Sequence, residues 1–203
     1  MDIGRCFVNA VLAGMLISMG GIVFLMYPDY KFIGALLFSV GLFGILTYGF
    51  NLYTGKVCYI FENGKEYFLS LFIIILGNFV GCLIMGLLFP IESAVALCDG
   101  KLCLDIIPTL AKGFGCGVMM FLAVDVYRTK NSYIGVFLCV PTFILAGFEH
   151  SIADMFYLCS AGIFTLEALV FIILVIIGNA IGGFIIPLCK KYLDNEEKDI
   201  SSA

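Results

Sequence analysis

The sequence predicts an all-α integral membrane protein: six transmembrane helices forming two inverted three-helix repeats, with the second and fifth helices broken. Three observations lead there. The 203 residues are 62% hydrophobic and 13% charged, with mean hydropathy +1.11, which is too much apolar surface for a soluble domain of this size. The apolar runs approach the roughly 20 residues a helix needs to cross the hydrocarbon, and they lack the alternation of a membrane strand. Finally, Gly77-Asn78-x-x-Gly81 recurs as Gly178-Asn179-x-x-Gly182, and Gly49-Phe50-Asn51 is echoed by Gly147-Phe148-Glu149. An odd number of helices in each half makes the second half enter from the opposite side, and matching interruptions in such halves point to a midplane site.

Helix one is expected from about Cys6 to Tyr27, with Ala10, Ala13, Gly14, Gly20 and Gly21 allowing close approach of its neighbours. No small-x-small cleavage site closes this run, so it reads as a membrane helix and not a leader. After the turn Pro28–Lys31, helix two starts near Phe32 and breaks at Gly49-Phe50-Asn51-Leu52-Tyr53-Thr54-Gly55-Lys56 before Val57 to Phe61 resume. A break at membrane depth is tolerated only where the freed backbone is buried in protein or lines a cavity. Glu62 to Glu66 is a polar turn, and helix three runs from about Tyr67 to Phe89, stopped by Pro90. The mixed segment Glu92 to Asp105, centred on Lys101, reads as external. Helix four covers about Ile106 to Tyr127 and carries Lys112 and the small run Gly113 to Gly117; Arg128 to Ser132 is a basic turn. Helix five starts near Tyr133 and is interrupted around His150, helix six spans about Phe164 to Cys189, and the charged tail Lys190–Ala203 is expected to be solvated.

Arg5, Lys56, Lys65, Arg128, Lys130, Lys190, Lys191 and Lys198 collect on one side and only Lys31 and Lys101 on the other, which predicts both termini in the cytoplasm of a multi-pass protein in the cell membrane. The net charge of −4 resides mostly in loops and tail and does not suggest nucleic acid. Nine cysteines include no Cys-x-x-Cys pair and read as small packing residues. Cys98 and Cys103 flank the external turn, and in an oxidising compartment a disulfide could join them.

The stretch Gly147-Phe148-Glu149-His150-Ser151-Ile152-Ala153-Asp154-Met155 holds the chain's single histidine between two acids in an otherwise apolar run. Ionisable groups at membrane depth are costly and mark substrate or proton pathways. A membrane-embedded enzyme using Glu149, His150 and Asp154 is a second reading, but metal sites take three or four ligands and no second acidic cluster lies at matching depth. A neutral-solute channel would show paired Asn-Pro-Ala boxes, which this chain lacks.

Together these residues resemble the formate/nitrite transporter family. The stretch from Gly147 to Met155 is similar to that family's GFEHSxANM, Leu52-Tyr53-Thr54-Gly55 to its LFTG, and Gly178-Asn179-Ala180-Ile181-Gly182-Gly183 to its GNxxGG. The resemblance covers essentially all six helices. It implies an aquaporin-like protomer assembled as a homopentamer in the bilayer, with one pore per protomer, passing small monovalent anions of weak acids and no cofactor. The expected organisation is a channel domain over 1–189, with repeats over about 1–90 and 101–189, and a cytoplasmic tail over 190–203. By the resemblance, His150 is the central pore histidine and Thr54 faces it. Phe38 and Phe143 form the outer constriction and Leu42 and Leu52 the inner one, while Arg5 and Lys101 are the vestibule cations. Glu149 is expected to brace the broken-helix backbone by accepting N–H groups, with Asn51 in support of the other break. Three positions depart from the family pattern: Gly117 where asparagine is usual, Asp154 in place of asparagine, and Lys56 after Thr54-Gly55.

Physically, such a pore has to spare the anion full desolvation of its charge. A dry path raises the basicity of a weak-acid anion, because burial disfavours its charged form. A histidine, with an ordinary pKa of about 6.5, is suited to exchange a proton there. Formate is the expected substrate, with nitrite and hydrosulfide as alternatives.

Overall fold

The computed structural model describes residues 2–201, and the side chains of all of these except Lys65 and 194–201. Lys65 and Lys198, counted above among the charges of one side, and Ser202 and Ala203 at the end of the expected tail therefore lie outside the described set. Helices α1 (Ile3–Met26), α2 (Lys31–Tyr48), α3 (Tyr53–Lys56), α4 (Lys65–Leu88), α5 (Glu92–Leu102), α6 (Ile106–Lys130), α7 (Ile134–Leu145), α8 (Ser151–Ala161) and α9 (Leu166–Ser201) follow one another, with 3₁₀ turns at Pro28–Tyr30 and Val57–Glu62. Among the described residues, Ile3–Met26, Pro28–Tyr48, Glu66–Leu88, Ile106–Lys130 and Leu166–Leu193 are long and apolar enough to cross a membrane. The fifth expected span arrives in two pieces, α7 of 12 residues and α8 of 11.

Four local expectations change. Helix one begins earlier than expected, because the Asp2 side chain caps it by accepting from the Arg5 backbone N–H at 3.1 Å, which puts Arg5 inside α1. The mixed segment after Pro90 is mostly helical, as α5. At the charged end the chain is helical, α9 continuing to Ser201. Cys98 is buried, Cys103 exposed, and both are free thiols.

Packing follows the small residues. The α1 helix lies against α4 and α2, and α6 against α9 and α7; α2 meets α7, α4 supports α8, and α9 supports the Val57–Glu62 turn. At the α1–α4 crossing Gly14 meets the Asn78 backbone, and at the α6–α9 crossing Gly117 meets the Asn179 backbone. A Cβ on Gly117 would stand 2.8 Å from the Gly183 nitrogen and 3.0 Å from the Asn179 carbonyl carbon. This contact accounts for Gly117: the position has no room for the side chain usual in the family, because two backbones touch there.

Both breaks are made the same way. After α2, Gly49 takes φ +72°, and after α7, Gly147 takes φ +69°, a left-handed conformation that glycine adopts without Cβ strain. The chain then runs through Leu52 and His150, both extended, into the first residues of α3 and α8. Buried backbone groups freed by the breaks are paired by two asparagine side chains. Asn78 Oδ1 accepts from the Tyr53 N–H at 2.9 Å, while its Nδ2 donates to the carbonyls of Ala10 (2.7 Å) and Asn51 (2.8 Å). Asn179 repeats this with the Ser151 N–H at 2.9 Å and the carbonyls of Gly113 and Glu149, both at 2.8 Å. The register sets Asn51 against Glu149, and Leu52 against His150.

Two predictions follow from these contacts. Asn78→Ala and Asn179→Ala each leave a buried N–H and two carbonyls short of a partner, at about 1–3 kcal/mol for each group left unpaired. Both are expected to lower the thermal midpoint followed by circular dichroism in detergent by similar amounts; an unchanged midpoint in either would count against the bracing role. Gly117→Asn should be worse tolerated than Gly117→Ala, whose overpacking costs about 1–3 kcal/mol. Monodisperse yield on size-exclusion chromatography is the readout.

Candidate functional site

Where the two breaks approach one another, Thr54 on α3 meets His150 at the head of α8. Thr54 Oγ1 lies 3.0 Å from His150 Nε2, and both side chains are buried. The other ring nitrogen, Nδ1, accepts the Ala153 backbone N–H at 3.1 Å, so His150 is the N-cap of α8. That bond fixes the tautomer: with Nδ1 accepting, the neutral ring carries its proton on Nε2 and donates it to Thr54 Oγ1. A proton on Nδ1 would displace the cap. The Thr54 hydroxyl hydrogen is thereby left as a donor.

Aromatic and aliphatic side chains close around this pair. Phe143 stacks on the His150 ring, with centroids 5.6 Å apart and planes at 19°, and meets Phe38 edge-on at 6.3 Å. Leu52, two residues from Thr54, and Leu42 are buried on the other side. Two cavities flank the cluster. One, of about 380 Å³, is lined by Leu42 and Leu52 together with Lys56, Tyr59, Tyr67 and Arg128. The other, of about 300 Å³, is lined by His150 and Phe143 with Lys101, Lys112, Glu149 and Asp154.

Charges in the second cavity are paired. Lys101 Nζ donates to Glu149 Oε2 and lies 2.9 Å from Asp154 Oδ1, while Lys112 Nζ stands 3.6 Å from Glu149 Oε1. Burial alone would pull the Lys101 ammonium down, but the carboxylates of Asp154 and Glu149 outweigh it and hold the lysine above its ordinary value. Its ammonium also sits 5.7 Å from the Tyr157 ring centroid. In the first cavity the Arg128 guanidinium covers the Tyr59 ring at 3.7 Å.

The structure brings together His150, Thr54, Phe38, Phe143, Leu42 and Leu52 as one buried cluster. Arg5 stands apart from it. That exposed residue lines a separate recess with Asp2, Asn9 and Asn51, which shares Lys56 and Tyr67 with the first cavity. The cations nearest the leucines are Lys56 and Arg128. Glu149 does not brace backbone with its carboxylate, which is occupied by lysines; its carbonyl is the braced group. Asn51 likewise contributes its carbonyl to Asn78, while its own side chain donates to the Cys6 carbonyl at 3.4 Å. The amides that pair these backbone groups belong to Asn78 and Asn179, signalled in the sequence as the amides of two matching Gly-Asn-x-x-Gly stretches in oily helices, and Lys112 by being a lysine inside a membrane span. No group of three His, Cys, Asp or Glu side chains suited to a metal occurs among the described residues.

One sequence pattern, one curated relative and two solved structures resemble this chain. The sequence pattern described as Formate/nitrite transporter matches residues 1–193. An uncharacterized transporter, YrhG, of Bacillus subtilis (strain 168), is 27% identical over 195 residues, covering 83% of this chain and 73% of the relative. Among solved structures, an FNT family ion channel superposes with a TM-score of 0.85 at 20% identity, covering 95% of this chain and 91% of that one. A pentameric formate channel with formate bound superposes with a TM-score of 0.80 at 22% identity, covering 95% and 97%. A match along nearly the whole chain, with the fold of these channels, makes the protein a member of the formate/nitrite transporter family.

Proposed function

We propose that this chain passes small monovalent anions of weak acids across the membrane, formate first among them, and that a proton is exchanged or shared at His150 on the way. The observation that carries the proposal is the His150–Thr54 pair, set between the phenylalanines Phe38 and Phe143 and the leucines Leu42 and Leu52, with one cation-bearing cavity lined by the two leucines and another lined by His150 and Phe143. An anion drawn into the first cavity by Lys56 and Arg128 loses water as it passes the leucines, and its affinity for a proton rises. There the Thr54 hydroxyl, its oxygen engaged by Nε2–H, offers its own hydrogen to the anion. Arg5, one recess away, adds to the positive field of that mouth, and Lys101 belongs to the opposite one.

The finer architecture belongs to the same proposal. The twice-used asparagine brace supports two inverted three-helix repeats, over about 1–90 and 101–189, with 190–203 at the cytoplasmic end of a protein in the cell membrane that has both termini inside. The fold shared with a pentameric formate channel supports a homopentamer with one path per protomer. Nitrite and hydrosulfide fit the same physical logic as formate, since a site of this kind separates small substrates by only about 1–3 kcal/mol.

Labelled formate uptake into proteoliposomes, with nitrite, hydrosulfide and chloride as competitors, tests the reading directly. Asparagine is a good N-cap but lacks the Nε2–H, so His150→Asn is expected to keep the fold and lower uptake by about tenfold, the equivalent of about 1.4 kcal/mol. Normal uptake by this variant across the pH range would remove the histidine from the mechanism. Lys56→Gln, in contrast, should raise the KM for flux from the first cavity and weaken its dependence on ionic strength, with kcat little changed.

A further inference from the structure

Asp154 is 1% exposed, and its two oxygens are treated unequally. Oδ1 meets Lys101 at 2.9 Å, whereas Oδ2 is buried without a hydrogen-bond partner in a residue that lines the cavity shared with His150 and Phe143. A carboxylate oxygen left dry and undonated is costly unless a ligand or water supplies a donor. The groups close enough to interact electrostatically with the Asp154 carboxyl are Lys101 and Cys98 from α5, Lys112 and Cys116 from α6, Glu149 from the break before α8, and Tyr157 from α8 itself, while the Asp154 backbone N–H donates to the His150 carbonyl and the imidazole lines the same cavity. Lining this cavity are two lysines and two carboxylates, so its formal charge is balanced with the imidazole neutral. The cavity beside the leucines differs, for Lys56 and Arg128 line it and no carboxylate does.

We propose that Asp154 Oδ2 is the acceptor for the acidic hydrogen of an undissociated small weak acid, and that this makes the His150-side cavity selective for the neutral acid over its anion. An anion entering there would unbalance the charge and meet a carboxylate with no donor between them. A neutral acid donates its O–H to Oδ2 and leaves the balance intact. No bond is broken on binding; the proton stays on the acid. The inference rests on the channel reading above and names the form of substrate that one mouth takes.

The test uses oriented proteoliposomes and labelled formate at fixed total concentration, supplied from the His150-side cavity. For a carboxylic acid of pKa about 4, the neutral form falls about tenfold per pH unit above that value, and uptake by the natural protein is expected to fall with it. Nitrate, which stays an anion, should compete poorly. Asp154→Asn replaces the acceptor by an amide that can donate and leaves Lys101 with one carboxylate. It should flatten the pH slope to under about threefold per unit and make uptake sensitive to nitrate, as expected when an anion is accepted. An unchanged slope together with unchanged nitrate sensitivity would overturn the proposal. Asp154→Ser serves if the asparagine variant elutes as aggregate. Infrared difference spectra of the reconstituted protein near neutral pH, with and without a high concentration of formate, add a readout independent of flux, in which an Asp154 carboxylate band, lost in either variant, shifts on addition. Absence of uptake by the natural protein would count against the channel reading alone, and the infrared shift then decides whether Asp154 binds the acid; no shift rejects it.

Discussion

Hydrocarbon supplies no hydrogen bonds, so a helix that stops inside it has to find partners for its loose ends within the protein. Everything at the centre of this molecule depends on how two side-chain amides meet that demand. Asn78 and Asn179 each use one oxygen and one NH₂ group to pair an N–H and two carbonyls, and so complete α3 and α8 where the preceding chain has ceased to be helical. The amides can reach because α4 and α9 are pressed against α1 and α6 through glycines, Gly14 beside Asn78 and Gly117 beside Asn179. Position is thus handed on from a backbone contact to an amide, from the amide to a helix start, and from the helix start to Thr54 or His150.

The histidine is consequently a structural residue before it is a chemical one. Its Nδ1 holds the first turn of α8, so one face of its hydrogen bonding is committed and only Nε2 points toward Thr54. The N-terminal end of a helix carries partial positive charge, an environment that favours the uncharged imidazole. On the proposed path this makes the ring a fixed donor inside a dry stretch. The charges are left to the cavities, where lysines and carboxylates pair with one another beside the ring.

Much of this was legible in the sequence because the membrane simplifies the code. Long apolar runs marked five spans, and the single histidine among acids lies where the two interruptions meet. The Gly-Asn pairs marked the two asparagines that make matching braces. What remained hidden depended on side-chain direction. Glu149 and Asn51 sit in the breaks and looked like the braces, yet each offers its carbonyl, and the bracing amides come from helices far along the chain. The mixed composition of Glu92 to Leu102 hid a helix whose role is to carry Lys101 over the carboxylates. Arg5 fitted a family position, but Lys56 and Arg128 occupy the cavity wall in front of the leucines, a fact of packing that spacing alone cannot express.

Phe143 touches both sides of the question, lying flat on the imidazole and edge-on to Phe38. A ring in that position cannot swing aside without uncovering the histidine. On the proposed path, passage and exposure of the ring are mechanically one event: the side chain that would have to yield to a molecule is the one that lies across the imidazole.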